Sequence, residues 1–589
     1  MTMPDTLPDD TIDAMRDAQR DDVDTGPGPG PDDDEFFEGA DLRAELEGRP
    51  VRADDTRAGE VRLGIDLHRV LEDTSRAMTS DPLLFERDRS LVSVIGAQPD
   101  VDATAIAAGS PVVRTLSPPS LLPRLTRHVR FLRAERPSKK ELAAAQLTGQ
   151  RPSPSYVECM PPQQLVSSFL ELGEWPGLRR LVGITETPSL RPDGTVIDRP
   201  GYDAATGFLY VPSARFDAVP DVPTQGDAAR ALLALADVFC DFPFATEAAR
   251  YVPIAALLSI MARPAIRGAV PMFVFDAPTP GTGKSMCSDA ACIIATGRGA
   301  PRGSFPIEKS ELEKALNAAA LAGVSVVGFD NVGDVGLGGD ALDKCITAHD
   351  TVSFRILGKT EQRSCVWRAV ILASGNNVQI VGDTMRRALV ARIEAAVERP
   401  EDRGGFKHDP LLPWVESNRA RLVAAALTVL RGYAAAGMPD VGVKPWGSFE
   451  AWGKLVPSAI VWAGGADVMG SRPSRENADG GDQAALAVLI RELRSFLSKS
   501  SQKGTTGRAL VRALYPGDRP PGKDEPPDGW DTLRGAIETL APPRGASRCP
   551  DTKAFGWALR KFRQRVVGGA RLTAKVNRDG VAEWSVEDV

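Results

Sequence analysis

The chain predicts an α/β fold of strands and helices around a phosphate-binding loop, and three observations predict it. The run Pro271-Met272-Phe273-Val274-Phe275-Asp276 is a short apolar strand. Ala277-Pro278-Thr279-Pro280-Gly281-Thr282-Gly283-Lys284-Ser285 follows as a glycine-rich turn, and small and apolar residues from Met286 to Ala295 continue as a helix. A second apolar strand, Val324-Ser325-Val326-Val327-Gly328-Phe329, ends at Asp330-Asn331, and a third, Ala369-Val370-Ile371-Leu372-Ala373, ends in Ser374-Gly375-Asn376-Asn377. Polar groups at the C-terminal ends of buried strands are where sheets of this class hold ligands.

The residue types at these ends fit one chemistry. Gly281 and Gly283 let backbone N–H groups turn inward around phosphate, and the positive end of the new helix favours an anion. Lys284 is placed to reach the β- and γ-phosphates and the Ser285 hydroxyl to ligate Mg²⁺, with Thr282 and Met286 completing the loop and the first turn. Pro278 stands where the consensus G-x-x-x-x-G-K-[S/T] has its first glycine. Asp330 is read as the second Mg²⁺ group, and Asn376 or Asn377 as the amide that holds an attacking water. In Gly382-Asp383-Thr384-Met385-Arg386-Arg387, and at Arg392 beyond it, arginines are read as phosphate sensors or as fingers offered to a neighbouring subunit. Between the second and third strands, Thr351–Lys359 reads as a basic hairpin carrying Arg355 and Lys359.

Composition narrows the class. Residues 1–40 hold 13 Asp/Glu against 2 Arg, so the remaining residues carry +4 although the whole chain carries −7. The overall charge therefore does not argue against a nucleic-acid partner. Seven cysteines without a C-x-x-C pair and four unclustered histidines argue against structural zinc and a disulfide framework, and for a reducing cytoplasm. The acidic N-terminus does not read as a signal peptide, and no apolar run has the ~18 residues a membrane span needs.

Taken in order, residues 1–60 read as a disordered acidic tail rich in Asp, Pro and Gly. Residues 61–225 read as an N-terminal α+β domain, with strands at Val61–Ile65 and Ser90–Ile95, a helix at Val70–Met78 and a tight turn at Arg191-Pro192-Asp193-Gly194. Residues 226–400 read as a P-loop ATPase core, with a helical lead-in at Ala228–Cys240 and Glu247–Met261. Residues 401–470 read as a helical lid, with one long helix over 411–437 and a second at Phe449–Trp462. A linker follows at 471–483. Residues 484–589 read as a winged-helix-like module: helices at Ala484–Leu497, Gly507–Leu514, Trp530–Leu540 and Lys553–Val567, then a hairpin around Asn577-Arg578-Asp579-Gly580. Residues 551–580 carry eight Lys/Arg against two Asp, and Arg560, Lys561, Arg563 and Arg578 are the candidate DNA contacts.

The order of motifs resembles the AAA+ core of superfamily 3 type helicases, and more closely the primase-helicase and replication proteins of prophages, plasmids and integrative elements. The motifs are the glycine loop, Asp330, the basic hairpin, Asn376-Asn377, and Gly382-Asp383-x-x-Arg386-Arg387-x-x-x-x-Arg392. The resemblance spans about Arg180 to Glu398. It implies an AAA+ type fold, ATP and Mg²⁺ as ligands, and a homo-hexameric ring that hydrolyses ATP between subunits and draws single-stranded DNA through its pore. It implies Lys284 and Ser285 on phosphate and Mg²⁺, Asp330 on Mg²⁺, Asn376 or Asn377 as sensor 1, one of Arg386, Arg387 and Arg392 as the finger, and Arg355 and Lys359 as pore contacts. Asn331 departs from the pattern, since many such enzymes have a catalytic glutamate there and an amide is a poor base. Glu311 or Glu313 on the preceding helix is the substitute to examine. Without a zinc knuckle or acidic triad in the first 200 residues, a helicase motor lacking its own primer synthesis is expected. Asn331 leaves open a nucleotide-switched binding or remodelling protein with little turnover.

Overall fold

A five-stranded parallel sheet carries the candidate site, and its strands include the three apolar runs of the sequence. The computed structural model describes residues 59–588 apart from 97–109, 149–153, 334–335, 356–361, 396–398, 474–479, 516–528, 544–548, 564–565, 568 and 577–580. The predicted acidic tail thus falls almost wholly outside the described residues. The strands β1 (Met272–Ala277), β2 (Gly303–Ser304), β3 (Val326–Val332), β4 (Val370–Asn376) and β5 (Ala388–Arg392) lie in the order β2-β3-β4-β1-β5. All neighbours run parallel. Such a sheet needs cover on both faces, and β1 is buried along its whole length.

The cover comes from helices that precede β1 and from helices between the strands. α1 (Gln225–Val238) starts at a capping box in which Thr224 and Asp227 bond each other's backbone N–H, and α2 (Glu247–Met261) starts at Thr246, whose hydroxyl accepts from the amide of Ala249. Both satisfy amides that a helix start otherwise leaves open. From Val252 to Met261 every residue of α2 is buried, the mark of an interior helix. α3 (Lys284–Thr296) follows the glycine turn and α4 (Lys309–Ala322) precedes β3.

The stretch 411–437 is two helices, α5 (Leu411–Ser417) and α6 (Arg419–Ala435), rather than the one long helix its apolar stripe predicts. The break is at Asn418, which leaves helical geometry and turns its side-chain amide back onto the carbonyl of Trp414 at 2.9 Å. Asparagine competes for backbone in this way, and the stripe does not record it. Together with α7 (Glu450–Trp462), these helices share one hydrophobic core with the sheet, α1, α2 and α3. The expected lid is therefore packed into the core: Trp452 Nε1 of α7 donates to Ser259 Oγ of α2 at 2.7 Å.

The N-terminal part has two smaller cores of its own. Gly59–Leu63 pairs in parallel with Val129–Ala134, 70 residues away, and Leu84–Arg87, Ser90–Gly96 and Pro111–Thr115 form an antiparallel meander. The turn of that meander docks on the half that holds the five-stranded sheet. Buried Arg87 donates to the carbonyls of Ala320 (3.2 Å) and Val366 (2.9 Å), Asp88 accepts from the amide of Val366 (3.1 Å), and Arg363 donates to Ser90 Oγ (2.7 Å). Val366 and Arg363 belong to Gln362–Val366, which pairs with Thr351–Arg355 as the basic hairpin.

The C-terminal part is held by a separate core. Its four-stranded antiparallel sheet has the order Thr505–Thr506, Ala582–Asp588, Ala570–Val576, Val566–Val567. The predicted helix Lys553–Val567 is shorter: α8 spans Thr552–Lys561, and Val566 and Val567 turn into the sheet opposite Arg571 and Ala570. Phe555, Leu559 and Phe562 of this segment are buried as the periodicity requires. Among the described residues no helix is long and apolar enough to cross a membrane.

Candidate nucleotide-binding site

Strand β1 delivers the chain to a turn that only small residues can make. Gly281 and Gly283 have φ of 76° and 89°, and Gly283 is the residue from which α3 begins. A Cβ on Gly281 would lie 2.9 Å from Glu401 Oε2, and one on Gly283 would lie 3.0 Å from the Phe242 ring. The loop is thus walled by neighbours, and the first-turn amides of α3, which no helix bonds internally, are left at its mouth. Thr282 is buried, Met286 is exposed, and the Pro278 carbonyl accepts from Asn377 Nδ2 at 3.2 Å.

Residues far apart in sequence converge on this turn. Lys284 Nζ donates to Asn376 Oδ1 at 2.7 Å, and Ser285 Oγ lies 3.4 Å from Asp330 Oδ1. The parallel pairing of β3, β4 and β1 places Asp330, Asn376 and Ala277 at one edge. Ser374 Oγ and the backbone N–H of Asn331 (2.9 Å) also donate to Asp330 Oδ1. Asp330 reaches this position through an irregularity between Phe329 and Val332, where Asn331 takes φ of 52°. Asparagine tolerates that conformation better than glutamate does, which is a physical reason for an amide at this place. Glu311 is exposed and bonded to Lys314 at 2.6 Å on its own helix, and Glu313 is exposed as well.

The ligand set suits a hard cation and a polyphosphate. Ser285 and Asp330 offer two oxygen donors of the kind Mg²⁺ prefers, and Lys284 stands beside them with one carbonyl partner. Burial pulls the Lys284 ammonium below its ordinary range, offset in part by Asp276 and Asp330. Phosphate contact holds the proton on lysine, so bound Lys284 titrates higher than free Lys284. Nucleotide affinity is therefore expected to be flat at neutral pH and to fall as pH rises through the lowered pKa of the free site. A nucleotide titration series in pH checks this: Lys284→Arg should bind more weakly yet lose the alkaline limb, because guanidinium stays charged.

The arginines separate into distinct roles by position. Arg392 lies on β5 beside β1, paired with Asp276 and with Glu394 (3.1 Å), and its Nη2 donates to Asn377 Oδ1 at 3.1 Å. It thus sits at its own chain's site, held by three partners, instead of standing free for a neighbour. Arg387 is drawn in by Asp343 at 3.0 Å and is largely buried, whereas the Arg386 side chain is exposed and pairs with Asp383 at 3.0 Å. Of the two pore candidates, Arg355 is exposed at the end of its strand and Lys359 lies outside the described residues. Arg560 and Arg563 are exposed, Lys561 is the last residue of α8, and Arg578 lies outside the described residues.

No family model and no curated protein matches the chain. Among solved structures, two A-form apo structures of the NrS-1 C-terminal region overlap it, each match covering 74% of this chain and 92% of that one. They are 15% and 13% identical, with TM-scores of 0.31 and 0.32. Likeness at this level does not assign a function.

Several site residues escape sequence reasoning. Ser374 had a signal: it stands two residues before Asn376 on β4, and alternate residues share a face. Arg302 bridges Asp289 of α3 (2.6 Å) and Asp330 (3.7 Å), a contact that depends on β2 lying next to β3. A cleft of about 400 Å³ opens beside Gly281 and Gly283 between Phe242, Met286, Phe406 and Leu412. Its outer wall is pinned where Lys407 (2.6 Å) and His408 (2.9 Å) hold Asp237 of α1, with His408 stacked on Trp414 at 3.6 Å. Nothing in the local sequence pairs residues 170 apart.

Proposed function

We propose that the chain binds ATP with Mg²⁺ at this site and uses its turnover to drive a DNA-directed motor of the helicase type, acting in replication of a mobile element. The observation that carries the reading is the meeting of Lys284 with Asn376 and of Ser285 with Asp330 at the mouth of a glycine turn. Lys284 and the α3 amides would hold the β- and γ-phosphates, and Ser285 and Asp330 would hold the metal. The metal's contribution, once bound, is to neutralise charge on the phosphate oxygens. Asn376, already oriented by Lys284, is the amide best placed to position water, and the apolar cleft beside the turn would take the base. Exposed Arg386 is the best candidate for a finger reaching a neighbour in a ring, the homo-hexamer that the resemblance implies.

ATPase assays with and without single-stranded DNA test the proposal. Turnover that DNA raises and Lys284→Ala removes supports the motor. A second reading, a nucleotide-switched binding or remodelling protein, is favoured by Asn331, because no carboxylate follows Asp330 and Glu311 faces Lys314. Tight ATP binding with no DNA-raised turnover would select it.

A further inference from the structure

Helix α8 turns two unlike faces to its surroundings. Phe555 and Leu559 are fully buried against the C-terminal core. On the other side Lys553, Trp557 and Arg560 follow at i, i+4 and i+7, one stripe of the helix. Lys553 and Arg560 are exposed, and Trp557 is 71% exposed, an unusual state for the largest aromatic side chain. Its surroundings leave room for a partner: Ala554, Gly556 and Ala558 flank it in sequence, and a Cβ built on Gly556 would meet nothing within 4 Å. The Arg560 guanidinium lies over the indole at 5.9 Å from its centroid. From Thr552 to Arg563 there are four basic residues and no acid.

From this placement we propose that the outward stripe of α8 is a stacking platform for single-stranded nucleic acid, with Trp557 packing on an unpaired base and Lys553, Arg560 and Arg563 on its phosphates. The charge selects a polyanion, and the flat apolar ring selects one that offers aromatic faces. A duplex buries those faces in its own stack and presents only edges and phosphates, whereas a single strand exposes them to an indole. The inference deepens the DNA-directed part of the proposed function and does not depend on nucleotide turnover.

The test uses the full chain without nucleotide, an oligothymidylate carrying one 5-iodo-deoxyuridine, and a duplex of equal length. Long-wavelength irradiation is expected to crosslink the single strand to the peptide that contains Trp557. Trp557→Ala should weaken single-strand binding about 5- to 150-fold, the range for losing one stacked base, while Trp557→Phe keeps most of it. Arg560→Ala should lower the slope of log affinity against log salt by about 0.7. Since Trp557 is exposed, thermal unfolding of these variants should match the parent. Unchanged single-strand affinity in Trp557→Ala, or an equal loss for the duplex, would overturn the proposal. Lys284→Ala serves as the separator: its DNA affinity without nucleotide should be normal, so lost turnover there bears on the motor alone.

Discussion

Lys284→Ala is expected to lower DNA-stimulated ATP turnover about a hundred- to a thousandfold while leaving the fold intact. The lysine is half-buried at the start of α3, with Asn376 as its hydrogen-bond partner and with Asp276 and Asp330 favouring its charge. In the proposed reaction its charge faces the oxygens on which negative charge builds, in a site partly shielded from water. Removing one such preorganised donor typically costs about 3–4 kcal/mol of barrier, which is the stated loss in rate. Stability should move little, because among the described residues Lys284 belongs to no buried ion pair whose partner would be stranded. The readouts are steady-state turnover with saturating single-stranded DNA and thermal unfolding of the same samples. Stimulated turnover that survives this substitution would place hydrolysis elsewhere.

Gly328→Ala is expected to be the most damaging single methyl in the sheet. Gly328 lies on β3, paired with Leu372 and two residues before Asp330. A Cβ there would stand 1.9 Å from the Pro301 carbonyl oxygen and 2.8 Å from its carbon, a clash with backbone and not with a rotatable side chain. Relief requires β3 or the chain entering β2 to shift by more than an ångström. Interiors packed to crystal density resist such a shift, at a cost of about 3–5 kcal/mol. The same shift moves Asp330 away from Ser285, so the folded fraction should also turn over more slowly. Gly333→Ala is the control, since its added methyl meets nothing within 4 Å and should change stability by less than about 0.5 kcal/mol. Denaturant unfolding of the two variants checks the contrast, and equal midpoints would contradict it.

The parts of the site legible in the sequence were those written in one strand and its tip. Met272–Ala277, Val326–Val332 and Val370–Asn376 announce themselves as apolar runs, and a polar residue at the end of each can be read without knowing the pairing. Relations between runs were less legible. The sequence admits either Asn376 or Asn377 as the water-holding amide and says nothing of their different contacts: Asn376 meets Lys284, whereas Asn377 turns to Pro278 and Arg392. Asn331 reads as a missing glutamate, whereas its φ of 52° marks a bend that brings Asp330 toward Ser285. Arg392 reads as a phosphate sensor or a finger, and its partner Asp276, 116 residues away, is seen only once β5 lies beside β1. In the same way the stripe over 411–437 records burial and not Asn418, so two helices read as one.

In the proposed function Ser285 and Asp330 jointly hold the magnesium of a bound ATP. Equilibrium titration of the full chain with a fluorescent ATP analogue, with and without Mg²⁺, tests it most directly. The parent chain should bind about tenfold or more tightly with the metal present, and Ser285→Ala and Asp330→Ala should each lose that metal-dependent gain, an interval of about 1.4 kcal/mol or more. A metal effect of equal size in the parent and both variants would rule out Ser285 and Asp330 as the metal's ligands.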